Sequence, residues 1–343
     1  MKNSTRQGDS VMSSRMRRGF IKGCWLSATL LGLGMTAQAS AESAANFPSR
    51  PVTIVVPFPP GGPTDIVGRS LGAALSKKWG QSVIVENRPG AGGNIGSTMV
   101  ARAQPDGYTL ILGVTGSHAI NKWLYKSLPY DPQKDFEPVS LAVIYSNVIV
   151  ANPNFPANNL QELIALAKKN PNKYSYGSDG NGTASHLSME LLKEQGKFKL
   201  VHVPYKGSAP MLNDVMGGTI PLGITGLPSA QPMIQGGRLK VIGLTTAQDY
   251  SGNHYPTIAG QGFPKYDIAP FSGIFAPKNT PPAIVAKISA DMADVLNQAD
   301  MKERMAKLGL KPMPTTPKQT AEFQAKQIEQ WKKAVEISGA SIN

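Results

Sequence analysis

Val52-Thr53-Ile54-Val55-Val56-Pro57-Phe58-Pro59-Pro60-Gly61-Gly62-Pro63-Thr64-Asp65 packs a strand, a turn and a helix start into one short stretch. The β-branched run Val52–Val56 predicts a buried strand, and the Pro/Gly cluster ends it. Beyond Asp65, the apolar residues Ile66, Val67, Leu71, Ala74 and Leu75 recur at helical spacing, with Thr64 or Asp65 as N-cap. The pattern repeats downstream. Val83-Ile84-Val85 predicts a second strand leading to a helix over Asn94 to Ala103, and Tyr108 to Leu112 predicts a third strand. Strand–turn–helix units this closely spaced imply a parallel sheet with crossover helices, and so an α/β lobe.

A long apolar segment, Val139 to Val150, then leads to Asn152-Pro153 and is long enough to run from one lobe into another. Alternation resumes with helices at Leu160–Ala167, Ser185–Leu192 and Ala209–Met216. Strands are expected at Tyr174–Gly177, Leu200–Val203, Ile220–Thr225 and Leu239–Thr245. Ile268 to Ala276 is a second extended segment, a candidate return crossover. The chain beyond it reads as helical, with Ile284, Ile288, Met292, Val295 and Leu296 on one face and Pro317 opening a last long helix. A length of 343 residues is ample for two domains. The expected architecture is a hinged pair of α/β lobes: 46–145 with 270–343, and 146–269.

Residues 1–39 read as an export signal. Arg15, Arg17, Arg18 and Lys22 precede an apolar run from Cys24 to Met35, too short for a membrane span. Ala37-Gln38-Ala39 offers a cleavage site, with a cut after Ala41 as the alternative. Arg17-Arg18-Gly19-Phe20 also resembles a twin-arginine signal, so both the general secretory and the twin-arginine routes stay open. The leader carries six Lys or Arg against one acid, leaving +8 of the formal +13 on the remainder. That charge is dispersed, without the basic clusters of a nucleic-acid-binding protein. The single cysteine, Cys24, leaves with the leader, so no disulfide or thiolate metal site is expected.

Chemistry concentrates in glycine-rich turns at strand ends. The first is Phe58–Asp65. The second is Gly113-Val114-Thr115-Gly116-Ser117-His118, and the third runs from Gly177 to His186. A fourth, Pro204-Tyr205-Lys206-Gly207-Ser208-Ala209-Pro210, also opens a helix. Helix starts offer unpaired N–H groups and the positive end of the helix dipole, the ingredients of an anion site. Lys206 is the one cation in these four turns.

Enzyme signatures are weak. Gly90-Ala91-Gly92-Gly93-Asn94-Ile95-Gly96 has the wrong spacing for a dinucleotide fingerprint, and no phosphate-loop motif occurs. Ser117-His118 and Ser185-His186 lack a nucleophile-elbow sequence, and sequence neighbours rarely face each other as nucleophile and base. The four histidines are scattered, so neither a metal nor another cofactor is expected.

Several motifs in order resemble the solute-binding receptors of tripartite tricarboxylate transporters, the Bug family. They are Pro57–Asp65 with Arg69, Glu86-Asn87-Arg88-Pro89-Gly90-Ala91-Gly92-Gly93-Asn94, Pro105-Asp106-Gly107-Tyr108-Thr109-Leu110, Tyr130-Asp131-Pro132 with Asp135-Phe136, and Pro204-Tyr205-Lys206-Gly207-Ser208. The resemblance covers nearly all of the chain after the leader. It implies a two-lobed periplasmic binding protein with two crossover strands, of the Venus-flytrap kind, that closes on a small aliphatic or aromatic carboxylate. A monomer is expected, delivering its ligand to membrane permease subunits and needing no cofactor. Carried over, Phe58, Gly62, Thr64 and Asp65 line the first turn, and Thr115, Gly116 and Ser117 the second. Ser178, Asp179, Asn181, Thr183, Ser185, Tyr205 and Thr225 are the second-lobe candidates. Asp179 replaces a small apolar residue of the family pattern, and Thr225 replaces an aspartate. An acid at 179 repels a second ligand carboxylate unless it caps a helix, meets a ligand donor or stays solvated in its turn. Two rivals keep different roles open: a sensor that presents ligand to a receptor kinase, and an exported hydrolase using Ser117 or Ser185.

Overall fold

The structure, a computed structural model, describes residues 44–342. The expected leader, its cleavage sites and Cys24 lie outside the described residues. The chain runs β1 (Val52–Val56), α1 (Pro63–Trp79), β2 (Val83–Asn87), α2 (Asn94–Ala101), β3 (Thr109–Val114), α3 (Asn121–Leu124), β4 (Phe136–Tyr145) and β5 (Asn147–Ala151). It continues through α4 (Leu160–Lys169), β6 (Ser175–Ser178), α5 (Ala184–Gly196), β7 (Val201–Pro204), α6 (Ser208–Gly217), β8 (Leu222–Gly226), α7 (Leu227–Gln235) and β9 (Lys240–Leu244). The last elements are β10 (Phe271–Pro277), α8 (Pro282–Asn297), α9 (Ala299–Lys307), β11 (Leu310–Pro312) and α10 (Pro317–Ser338).

Two sheets form two lobes. The first has the order β11-β4-β10-β3-β1-β2, with β1 parallel to both β2 and β3. The second has the order β7-β6-β8-β5-β9, with β6 parallel to β7 and β8. Returning strands run antiparallel: β10 between β3 and β4 in the first sheet, and β5 between β8 and β9 in the second.

The decisive segment folds as its pattern dictates. Ile54, Val55 and Val56 are fully buried, feeding cores on both faces of the sheet. α1 lies close on that sheet because Gly68 and Gly72 face it. A β-carbon on either would come within 2.8 Å of Val56 or 2.9 Å of Val85. The other lobe is likewise packed on both sides, around Ile149, Leu163, Tyr176 and Ile224 on one face and Val148, Met211 and Leu244 on the other.

The crossover departs from the continuous strand expected over 139–150. β4 and β5 are separate strands, parted at Ser146. There the Ser146 carbonyl accepts the Leu227 N–H, its hydroxyl meets Thr246, and the Asn147 N–H donates to Thr245 Oγ1. These bonds tie the junction to the start of α7 and the end of β9 instead of extending one ladder. The return strand starts at Phe271, not Ile268. Pro270 has no N–H to offer a ladder, and the Ile268 N–H instead donates to Thr245 O at 2.8 Å. Two elements had no sequence signal strong enough to predict them. Helix α7 contains Pro228 and Pro232, and β11 is three residues long.

Candidate functional site

The first turn is held from behind. Asp65 accepts from the Gly61 N–H at 3.0 Å, from Arg69 Nε at 3.0 Å and from Asn87 Nδ2 at 3.0 Å. Asn87 Nδ2 also donates to Phe58 O at 3.0 Å. Burial alone pushes the Asp65 carboxyl up, but the bonds from Arg69, Gly61 and Asn87 outweigh it and hold the group below the usual carboxylate range. Asp65 is thus a brace for the turn rather than part of the surface it presents, a correction to its expected role. Phe58, Gly62 and Thr64 do present themselves, lining a cavity between the lobes. Gly62 is the N-cap of α1 and no side chain caps it. Pro63 brings no N–H, so the donors left uncapped at this helix start are the N–H groups of Thr64 and Asp65, and Thr64 lines the cavity.

The second turn adds Thr115 and Gly116 to the lining. The Thr115 hydroxyl is occupied: it accepts from Phe271 N–H at 2.8 Å and donates to Phe271 O at 3.4 Å, pinning β10. Ser117 is fully buried behind the lining, its Oγ 2.9 Å from His118 Nδ1. From the other lobe come Asp179, Asn181, Thr183 and Ser185. Thr183 is the N-cap of α5, its side chain accepting from the His186 N–H.

Three other candidates sit beneath this wall. Ser178 Oγ turns inward to Gly180 O and to His202 Nε2 at 2.7 Å. Tyr205 donates to Asp214 at 2.6 Å, away from the cavity. Thr225, on β8, donates to Ser208 Oγ at 3.0 Å and supports the lining without joining it.

The fourth turn contributes more than its tyrosine. Lys206, Gly207, Ser208, Ala209 and Pro210 all line the cavity, and α6 begins there with Gly207 as another N-cap lacking a side-chain bond. Two uncapped helix starts, α1 and α6, therefore meet from opposite lobes. The cavity volume is about 80 Å³. This is room for a small organic molecule. The lobes touch around it: Ser229 Oγ donates to Gly61 O at 3.4 Å, and Gln231 Nε2 donates to Lys307 O at 2.6 Å.

A family model described as "Tripartite tricarboxylate transporter family receptor" matches residues 67–339. The chain belongs to that family. Protein BugT of Bordetella pertussis is 34% identical over 313 residues, covering 90% of this chain and 94% of its own. Rpa4515 of R. palustris, solved with adipate, superposes with a TM-score of 0.83 at 35% identity, covering 86% of this chain and 99% of its own. MatC from Rhodopseudomonas palustris, solved with bound malate, gives 0.78 at 34% identity, covering 84% and 100%.

In this family member the cavity also has walls that the motifs did not flag. Tyr145 and Asn147 reach it from the β4–β5 junction, and Asn121 from α3. The signal available for the first two was the polar break Tyr145-Ser146-Asn147 inside an otherwise apolar run. Gly92 lines it too, from the glycine run whose spacing argues against a dinucleotide site. Its carbonyl accepts from Asn121 Nδ2 at 3.0 Å.

The two Ser–His pairs resolve differently. Ser117 and His118 do meet, contrary to the expectation for sequence neighbours, but both are fully buried. Burial lowers the His118 pKa to about 3 and leaves Nε2 without a partner. His186 accepts from the Gly182 N–H at 3.1 Å and stacks on His202 with ring centroids 3.9 Å apart. Ser185 Oγ instead accepts from the Asp179 N–H at 3.2 Å and pairs with Thr183.

Proposed function

We propose that this protein is a periplasmic receptor that captures a small carboxylate between its lobes and passes it to the permease of a tripartite tricarboxylate transporter. The observation that carries this reading is the convergence of two uncapped helix starts, at Gly62 and Gly207, on one small interlobe cavity. Each helix terminus favours an anion by about 0.3–1 kcal/mol when exposed and up to about 2 kcal/mol when partly buried. Neutral donors of this strength suit capture that must later be reversed by a permease. Relatives solved with adipate and with malate support the same ligand class.

In this proposal the lobes extend over 46–145 with 270–343 and over 146–269, and the receptor acts as a monomer. Phe58, Gly62, Thr64 and Gly116 meet the ligand from the first lobe; Asn181, Thr183 and Ser185 meet it from the second. Ligand shifts a pre-existing open–closed equilibrium by bridging the two. Thermal shift of the protein purified from the periplasm, across aliphatic, aromatic and amino-bearing carboxylates, tests it. A rise in melting midpoint that grows with concentration, with the compound recovered unchanged, is expected. Consumption of the compound would replace the receptor with an enzyme.

A further inference from the structure

Apart from Lys206, which lies exposed in the fourth turn, Asp179 is the charged residue on the cavity lining. It stands at the end of β6, and its backbone is committed: its N–H donates to Ser185 Oγ and its carbonyl accepts the Gly207 N–H at 3.2 Å. No cation pairs with its carboxylate among the described residues. The hydroxyls of Thr225, Ser208 and Ser185 surround it. Thr225 donates to Ser208, and Ser185 and Thr183 share a bond, so the Ser208 proton is the one of this set with no other acceptor. Asp179 Oδ1 is cut off from solvent and has no hydrogen-bond partner. Burial pushes the carboxyl up to about 6, with partial relief from those hydroxyls, so the group is ionised at pH 7 and above. An ionised carboxylate with no cation beside it and one buried oxygen unpartnered is costly unless something supplies a further donor.

The first-lobe wall is the opposite. Its acid, Asp65, is satisfied by Arg69, Asn87 and Gly61 and stays off the lining, leaving the uncapped start of α1 at the cavity. The second-lobe wall thus sets a carboxylate beside its own uncapped α6 start, whereas the first-lobe wall offers the α1 start with no acid on the lining. A ligand anion is therefore favoured at α1 and a ligand donor beside Asp179.

We infer that the ligand is an amino-bearing carboxylate, its carboxylate seated at the α1 start and its ammonium group donating to Asp179, and that Asp179 excludes plain dicarboxylates. This inference rests on the receptor reading and narrows its ligand class. It sets the protein apart from relatives solved with adipate and malate, whose second carboxylate would meet Asp179 as a like charge.

The test is calorimetric titration of the periplasmic protein at pH 7.5 with length-matched pairs. Each pair sets an amino acid against the dicarboxylate of the same skeleton: 6-aminohexanoate against adipate, and 4-aminobenzoate against terephthalate, with shorter homologues. Wild type, Asp179→Asn and Asp179→Ala are compared, and cooperative melting of each confirms that it folds. Wild type is expected to bind the amino member of its best pair at least ten-fold more tightly, and both variants to erase or invert that ratio. A wild type that prefers the dicarboxylate, or variants that keep the ratio, overturns the inference while leaving the receptor standing. Failure of every carboxylate to bind any of the three folded proteins removes the receptor reading and the inference with it.

Discussion

Asp179 leaves a signature in the empty protein as well. Its folded pKa, about 6, exceeds its ordinary value of 3.8, so the folded state takes up the proton more readily than the unfolded chain. The stability this provides is fully present below pH 3.8 and is lost as the pH rises through 6. A shift of about two units corresponds to about 3 kcal/mol at pH 7.5. Asp179→Asn should therefore raise the ligand-free melting temperature at pH 7.5 by roughly 3–8 °C, with the gain fading toward zero near pH 4. Calorimetry of both proteins at the two pH values checks this. A gain of equal size at both would mean that the carboxylate is not strained by burial. His118, His186 and His202 carry the opposite sign, because burial lowers their pKa values to about 3, 4 and 3 and stability falls as acid forces protons onto them. They are common to both proteins and cancel in the difference. At this scale the sequence shows that an acid stands in the third turn. It does not show whether that acid is solvated, because this depends on Ser208 and Thr225, which are distant in the chain and adjacent in the fold. Asp65 was misjudged for the same reason: its partner Asn87 comes from the next strand.

Helices and strands were far more legible than side-chain orientations, since hydrophobic period and Pro/Gly punctuation are local. Helix α10 begins where Pro317 predicts, closed by a capping box between Thr316 and Gln319. Helix α7 was hidden by prolines tolerated at its second position and interior, and its existence depends on burial of Leu227 and Ala230 against the second sheet. The two threonine caps separate stability from binding. Thr183 caps α5 on the cavity wall, whereas Thr316 caps α10 away from the lining. Replacing either by alanine should cost about 1 kcal/mol, a drop in melting temperature of roughly 2–4 °C. Only Thr183→Ala should also weaken ligand binding, by several-fold. Titration of both variants with one bound carboxylate decides it. Equal affinities would show that the third turn needs no cap to receive ligand.

The two lobes meet where one lacks side chains. Gly226, at the end of β8, is buried against the other lobe, and a β-carbon there would lie 2.8 Å from Pro63 Cγ and 3.1 Å from Tyr145 Cε2. Its φ of −60° is open to any residue, so Gly226→Ala adds bulk between the lobes without backbone strain within its own. Pro63 is a rigid ring at the first position of α1 and cannot swing aside as a long side chain would. The added methyl therefore acts on the closed arrangement in which Ser229 reaches Gly61 and Gln231 reaches Lys307. If closure holds the ligand, this variant must populate the open form at the expense of the closed one, and apparent affinity falls in proportion to the closed fraction. Small-angle scattering should show wild type contracting at saturating ligand and Gly226→Ala contracting less, with its dissociation constant raised about ten-fold. Contraction and affinity matching wild type would mean that the lobes meet ligand without closing at Pro63, and that the cavity is shaped within each lobe rather than by their approach.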